Sequence, residues 1–353
     1  MASPEIRIDQ LTGARVLLAP GRAERPDQFG LDPWRPGASA DCPFCEGHED
    51  RTPPEIDADR PDGPASGGTG WRTRAFENLY PALAPKSGGD VGSGGDVGSR
   101  PDAAFASSAD PLLASTRGAD PDMFTSRPAV GHHEVIVNSP GHVGSLAGLD
   151  AGQLAIAVAA WRRRMLAHSD APYVQLILNQ GPDSGASLEH SHAQLGATPF
   201  VPAAVARERE RFNSYRERTV GASLLGEVLR EEIRRDDRLV AIDDEVALVC
   251  PWASRFPFEM RLIPRRPSPG FETDEVGASM LHRAVQALDS LVEGELQMNL
   301  WVKTAPRGVE HFHWHLDLAP RLEPFSSFEM ATGVDINVIP PETAAAKLRE
   351  AIA

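Results

Sequence analysis

Glu189-His-Ser-His-Ala-Gln-Leu195 and Glu310-His-Phe-His-Trp-His-Leu316 align without a gap at an offset of 121 residues. The same order of elements surrounds each. In the first half, 133–139 reads as a strand, and Asp150 caps a helix with an apolar stripe of Leu154, Val158, Trp161, Met165 and Leu166. Strands at 174–178 and 188–198 follow. In the second half, 258–263 is a strand, Thr273 caps a helix carrying Val276, Met280, Leu281, Val285 and Leu288, and 296–301 and 309–319 are strands. Matching order around a shared motif indicates an internal duplication. The expected fold is α+β: two tandem units, residues 1–205 and 206–353, each an antiparallel sheet with a packed helix. The charged segment 203–235 reads as a helical connector.

On a strand, alternate residues share a face, so His190, His192 and Gln194 are expected to point one way and Glu189, Ser191 and Ala193 the other. Several polar groups side by side on an otherwise apolar unit must find partners. The loop Asn179-Gln-Gly-Pro-Asp-Ser-Gly-Ala-Ser187 offers small residues and backbone N–H groups that suit close approach of a phosphate. Triplet and loop together read as a phosphate pocket with a nucleophile above it.

Composition narrows the function. Lys and Arg number 35 against 50 Asp and Glu, a net charge of -15, and lysine occurs only at 86, 303 and 347. Nucleic-acid binding through counterion release needs clustered basic residues, so that class is excluded. No run approaches 18 apolar residues, and the N-terminus has neither a basic start nor an apolar stretch, so no membrane span or secretory signal is expected and the chain reads as cytoplasmic. The first 85 residues are rich in Pro, Gly and Arg, with one apolar run at 15–20 that reads as a strand entering a loop. Residues 86–121, with tandem Ser-Gly-Gly-Asp-Val-Gly at 87 and 93, hold too little apolar surface to order themselves and read as a flexible insertion without chemistry. Three cysteines cannot build a disulfide framework. Cys42-Pro-Phe-Cys45 suits either a metal or a redox pair, and Cys250 reads as a core residue. His48, His132 and His133 read as solvated or strand-end residues.

The combination of Cys42-Pro-Phe-Cys45, Ser139-Pro-Gly-His142, Asn179 with Gly185 and Ser187, and His190-Ser-His192-Ala-Gln194 resembles the galactose-1-phosphate uridylyltransferases, the transferase branch of the histidine triad superfamily. Leu11–Pro26 and Phe76-Glu-Asn-Leu-Tyr-Pro-Ala-Leu83 also look like that family's opening strand and nucleotide-contacting segment. The resemblance implies two histidine-triad-like domains and a two-step transfer. His192 would attack the α-phosphorus of a nucleotide sugar, expel a sugar 1-phosphate, and pass the nucleotidyl group to a second sugar 1-phosphate. Gln194 stands where the hydrolase branch has a third histidine; an amide donates to phosphate but cannot act as imidazolium does, which favours transfer over hydrolysis. Ser187, Asn179 and Gly185 would cradle phosphate, with Arg22, Arg25 and Asn78 as further nucleotide and phosphate contacts and Glu329 on the sugar.

The resemblance also implies one structural Zn2+ held by Cys42, Cys45, His142 and His190, and a second metal near Glu208, His313 and His315. That second set lacks a histidine near Trp301-Val-Lys303. A homodimer is implied, with acceptor contacts from the tail 325–341. The aromatic-glutamate pair Phe328-Glu329 is present, but the upstream lysine of the family is not. Galactose metabolism is the first reading. ADP-glucose or dinucleoside polyphosphate phosphorolysis on the same fold, and a non-catalytic zinc-stabilised nucleotide-binding scaffold, are the alternatives.

Overall fold

A computed structural model describes residues 3–24, 35, 37, 41–61, 67–85, 128–324 and 326–352. Arg25, Phe325 and the 86–121 segment lie outside the described residues.

Ten strands form one continuous sheet. In chain order they are β3 (Glu55–Asp59), β4 (Thr73–Glu77), β5 (His132–Val137), β6 (Tyr173–Gln180), β7 (His192–Thr198), β8 (Leu239–Ile242), β9 (Val246–Val249), β10 (Met260–Pro264), β11 (Met298–Lys303) and β12 (His315–Pro320). Their spatial order is β3-β4-β5-β7-β6-β11-β12-β10-β9-β8, palindromic about the β6–β11 seam. Each half thus supplies five antiparallel strands, and the expected duplication includes two strands more per half than the sequence pattern indicated. The halves are hydrogen-bonded at the seam, with Asn299 opposite Asn179 and Leu300 opposite Leu178. A small second sheet, β1 (Glu5–Ile8), β2 (Arg15–Leu18) and β13 (Asp335–Asn337), ties the N-terminus to the C-terminal region.

Strand alternation separates two faces. Leu176, Leu178, Ala193, Leu195, Leu300, Val302, Leu316 and Leu318 are buried in one cluster with helices α1 (Ala151–Ala167), α4 (Ala278–Asp289) and α6 (Pro341–Ile352). The opposite face carries His192, Gln194, Asn179, Asn299, Trp301 and Lys303. Helix α1 starts as expected: Asp150 accepts the Gln153 N–H at 2.8 Å, and Leu154, Val158, Trp161 and Met165 are buried. Helix α4 does not start at Thr273, which closes a 3-10 turn; Gly277 at φ 98 restarts the chain close against Leu262.

Two connector helices, α2 (Ala203–Arg218) and α3 (Leu224–Arg235), stand where one charged helical stretch was expected, broken at Val220 (φ 56) and Gly221 (φ 109). The 205/206 division between the halves therefore falls inside α2. A short helix α5 (Ser327–Thr332) precedes β13. No helix among the described residues is long and apolar enough to cross a membrane.

Candidate active site

Strand β7 begins at His192, four residues later than the expected strand start, so His190 is not part of the alternating face. Its ring takes a separate task. The His190 Nε2–H donates to the Ser139 carbonyl at 2.9 Å, which leaves the Nδ1 lone pair facing Cys42 Sγ and Cys45 Sγ, each at 3.6 Å. Cys45 Sγ is also 3.5 Å from His142 Nδ1, and the four donor atoms lie within 4.8 Å of one another. A tetrahedral ion with bonds of about 2.3 Å to sulfur and about 2.0 Å to nitrogen would set sulfur–nitrogen separations of about 3.5 Å. The four residues fit a metal ion closely. Burial and the adjacent Cys42 push the Cys45 thiol up to about 11, so this thiol ionises readily only beside a cation. The redox alternative loses weight against this two-thiol, two-imidazole grouping. Glu189, which also accepts the Gly37 N–H at 2.7 Å, sits 3.8 Å from His142 Nε2.

His192 is 4% exposed. Its Nδ1–H donates to the His190 carbonyl at 2.7 Å, so the proton is fixed on that nitrogen and Nε2 keeps its lone pair. Burial holds the imidazole below its ordinary pKa, which keeps it neutral. Phe44, from the Cys42–Cys45 turn, packs edge-on against this ring at 5.1 Å between centroids. The Cys42–Cys45 turn and the His192 ring are thus in direct contact.

Asn138, fully buried, anchors the segment behind His192. Its N–H donates to the Ser191 carbonyl, its amide Nδ2 donates to Ser191 Oγ at 3.0 Å, and its Oδ1 accepts from Trp161 Nε1 at 2.9 Å. Helix α1 therefore holds the start of β7 through one side chain.

The β6–β7 register sets Ile177 opposite Gln194 and Leu178 opposite Ala193, so that Asn179 and His192 follow two residues on from the first pair. The phosphate-type loop then leaves β6 through Gly181 (φ 84) and Gly185 (φ 87). A Cβ on Gly181 would lie 2.6 Å from Gln297 Cγ, so only glycine fits there. Gln297 clamps the loop from the second half: its Oε1 accepts the Asp183 N–H and its Nε2 donates to Asp183 Oδ2, both at 2.8 Å. Ser187 is exposed in the following segment. Arg22 is exposed on the 3-10 turn Pro20–Glu24. Asn78 is half-buried beside β5, its N–H on the His133 carbonyl and its Nδ2 3.4 Å from His133 Nε2.

His133, expected as a solvated strand-end residue, is part of the site: it bonds Gln194 at 3.0 Å and Ala82 at 3.1 Å. Its place on the β5 face with Val135 and Val137 was the available sequence signal.

The second half repeats the histidine geometry, shifted by two residues from the sequence alignment. His313 Nε2–H donates to the Pro264 carbonyl at 2.8 Å as His190 does to Ser139, and His315 Nδ1–H donates to the His313 carbonyl at 3.3 Å as His192 does to His190. Glu208 Oε1 lies 3.5 Å from His315 Nε2, and Lys303 Nζ lies 3.9 Å from Glu208 Oε2. The expected second metal set is not assembled. Among the described residues the one grouping of three or more donors is Cys42, Cys45, His142 and His190, and His313 turns its Nδ1 to Ser223 Oγ at 3.5 Å instead. A lysine ammonium stands where a further ligand was sought. Burial lowers His315 to about 3 and raises Glu208 to about 7. A cavity of about 880 Å3 runs along this face from Asn179 and Asn299 past His315 and Lys303 to Glu329. Glu329 accepts a hydrogen bond from Ser326 Oγ there.

Residues 104–202 match the family model described as galactose-1-phosphate uridyl transferase, N-terminal domain, a match that begins inside the segment expected to be an insertion. Over 99% of its length the chain is 30% identical to an ADP-glucose phosphorylase of Arabidopsis thaliana, covering 93% of that protein. It is 25% identical to a galactose-1-phosphate uridylyltransferase of Thermotoga maritima, covering 98% of both. The crystal structure of an Arabidopsis thaliana ADP-glucose phosphorylase with bound ADP-glucose superposes with a TM-score of 0.75 at 27% identity, covering 99% of both chains.

Proposed function

The chain belongs to the galactose-1-phosphate uridylyltransferase family, and from that premise we propose that it moves a UMP group between a UDP-hexose and a hexose 1-phosphate through a nucleotidyl-histidine on His192. The observation that carries this reading is the fixed tautomer of His192, whose Nδ1–H is held by the His190 carbonyl so that Nε2 is a neutral, unprotonated nucleophile. In the first step Nε2 forms a bond to the α-phosphorus, the bond from that phosphorus to the sugar-phosphate oxygen breaks, and the sugar 1-phosphate leaves. In the second, a phosphate oxygen of the acceptor attacks the same phosphorus and the Nε2–P bond breaks. Neither step needs a proton from Gln194, whose amide donates to phosphate oxygens and supplies no acid for attack by water.

Asn179, Ser187 and the backbone at Gly185 take the phosphate, with Arg22, Arg25 and Asn78 on the nucleotide side and Glu329 on the acceptor sugar. Cys42, Cys45, His142 and His190 would hold a structural Zn2+, and the Cys42–Cys45 turn would thereby be braced, with Phe44, against the His192 ring. The enzyme works in the cytoplasm as a homodimer, a reading supported by three cysteines that form no disulfide and by Phe328 and Met330 exposed on α5.

Phosphorolysis of ADP-glucose is the second reading, favoured by 30% identity to the Arabidopsis thaliana ADP-glucose phosphorylase against 25% to the Thermotoga maritima uridylyltransferase. Half-reaction exchange with labelled sugar 1-phosphate, run in parallel with UDP-glucose and ADP-glucose, separates the two. Exchange with UDP-glucose supports the first reading, ADP-glucose consumption with inorganic phosphate the second. No exchange and no nucleotidyl-peptide containing His192 with any donor would reject both and leave the zinc-stabilised binding scaffold.

A further inference from the structure

Two of the amide side chains on the candidate site face, Gln194 and Asn179, have their carbonyl oxygens occupied by neighbouring donors. His133 Nδ1 accepts the Ala82 N–H at 3.1 Å, so the imidazole proton is on Nε2, and that N–H donates to Gln194 Oε1 at 3.0 Å. Asn299 reaches across the seam between the halves. Its Nδ2 donates to Asn179 Oδ1 at 2.8 Å and to the Ser184 carbonyl at 2.9 Å, with both hydrogens used. With each oxygen satisfied, Gln194 and Asn179 are left to present their NH2 groups, and Asn179 Nδ2 faces Gly185, 4.0 Å from where a Cβ on that glycine would be.

We infer that His133 and Asn299 are positioning residues that lock Gln194 and Asn179 with their amide donors toward the bound phosphate. An amide can turn by half a rotation at little cost, and the wrong turn would aim a carbonyl oxygen at an anion. The two locks remove that choice before substrate arrives, which is the preorganisation that makes a fixed donor effective against developing charge. Asn299 gives the second half, whose own His315 faces Glu208, a part in the reaction of the first: it carries the lock from β11 to the phosphate loop. This deepens the nucleotidyl-transfer reading and rests on it.

The test compares His133→Gln with His133→Glu. Both are close in size, but glutamine keeps an N–H for Gln194 Oε1, whereas glutamate is acceptor-only and draws the Gln194 NH2 toward itself. The His133→Glu enzyme is expected to lose roughly 10²-fold in kcat for nucleotidylation of His192, while His133→Gln recovers most of it. UMP and AMP affinity by calorimetry should fall with His133→Glu and hold with His133→Gln, a readout independent of turnover. Asn299→Asp, which reverses the lock on Asn179 in the same manner, should reproduce the loss. Metal content and melting temperature establish that each variant is folded. Equal activity and equal UMP binding in the Gln and Glu variants, in a wild-type enzyme that forms the covalent adduct, would overturn the orientation role and leave the transfer reading intact. A wild-type protein that forms no adduct with any donor would take down the transfer reading itself, and this inference with it.

Discussion

His315 repeats the pose of His192: each ring donates Nδ1–H to the carbonyl of the histidine two residues earlier, at 3.3 and 2.7 Å. What differs is the far nitrogen. His315 Nε2 faces the Glu208 carboxyl at 3.5 Å and Asp317 at 3.8 Å, so this nitrogen is covered by carboxyl groups. On the proposed reading the duplicated fold yields one nucleophile, and His192→Ala is expected to abolish formation of the nucleotidyl-enzyme while His315→Asn leaves that step in place. Rapid quench with mass spectrometry decides it; adduct on a peptide containing His315 would refute the assignment.

Metal content should follow the first half alone. Cys42→Ser is expected to drop zinc from about one ion per chain and to lower the melting temperature, since a structural zinc shell contributes folding energy directly. Glu208→Gln and His315→Asn should leave the zinc content unchanged, because their donors are not gathered into a site. Atomic absorption on the three variants is the measurement, and loss of metal on altering Glu208 would restore the second centre.

Stability should depend on pH through buried carboxyls. Burial raises Glu208 from 4.5 to about 7, and Glu259 likewise to about 7. A carboxyl raised in the folded state favours folding in its protonated form, so its stabilisation is present below pH 4.5 and is lost as pH rises through about 7. Glu208→Gln should therefore flatten the fall in stability between pH 5 and 8 by up to ~3 kcal/mol. Urea unfolding of wild type and variant at the two pH values reads this, and parallel curves would contradict it.

Asn138→Leu removes the partner of Trp161 Nε1 and of Ser191 Oγ in a fully buried position. Each buried group left unsatisfied costs about 1–3 kcal/mol. A lowered urea midpoint with a parallel loss of kcat is expected, because the same side chain holds the segment entering His192. An unchanged midpoint would mean that α1 does not brace the site through this residue.

Gly181→Ala forces a Cβ to within 2.6 Å of Gln297 Cγ at φ 84. Backbone strain of about 1–3 kcal/mol and displacement of Gln297 should unfasten the phosphate loop. The expected signature is a raised KM for the donor with a smaller change in kcat. Steady-state kinetics showing wild-type KM would show that the loop is held by other contacts.

Much of this protein is legible one segment at a time. Apolar residues at helical spacing in 151–167 and alternating residues in 173–180 and 298–303 specify their own elements and buried faces, since those periods are properties of the chain itself. The Cys42–Cys45 spacing marks two of the four donors of the candidate metal site, and the Gly-bearing loop after β6 and the repeated histidine motif mark the segment around His192; His142 and His190 as donors come from the family resemblance. Short-range pattern failed where a long-range partner decides the outcome. The two histidine motifs match best in sequence two residues away from their structural match, because strand register and the Ser139 and Pro264 carbonyls set the pairing. Lys303 beside Glu208, Asn299 on Asn179 and His133 on Gln194 join residues 95, 120 and 61 positions apart. No local period encodes such contacts; they come into being when packing brings the strands together and each buried polar atom takes the partner within reach.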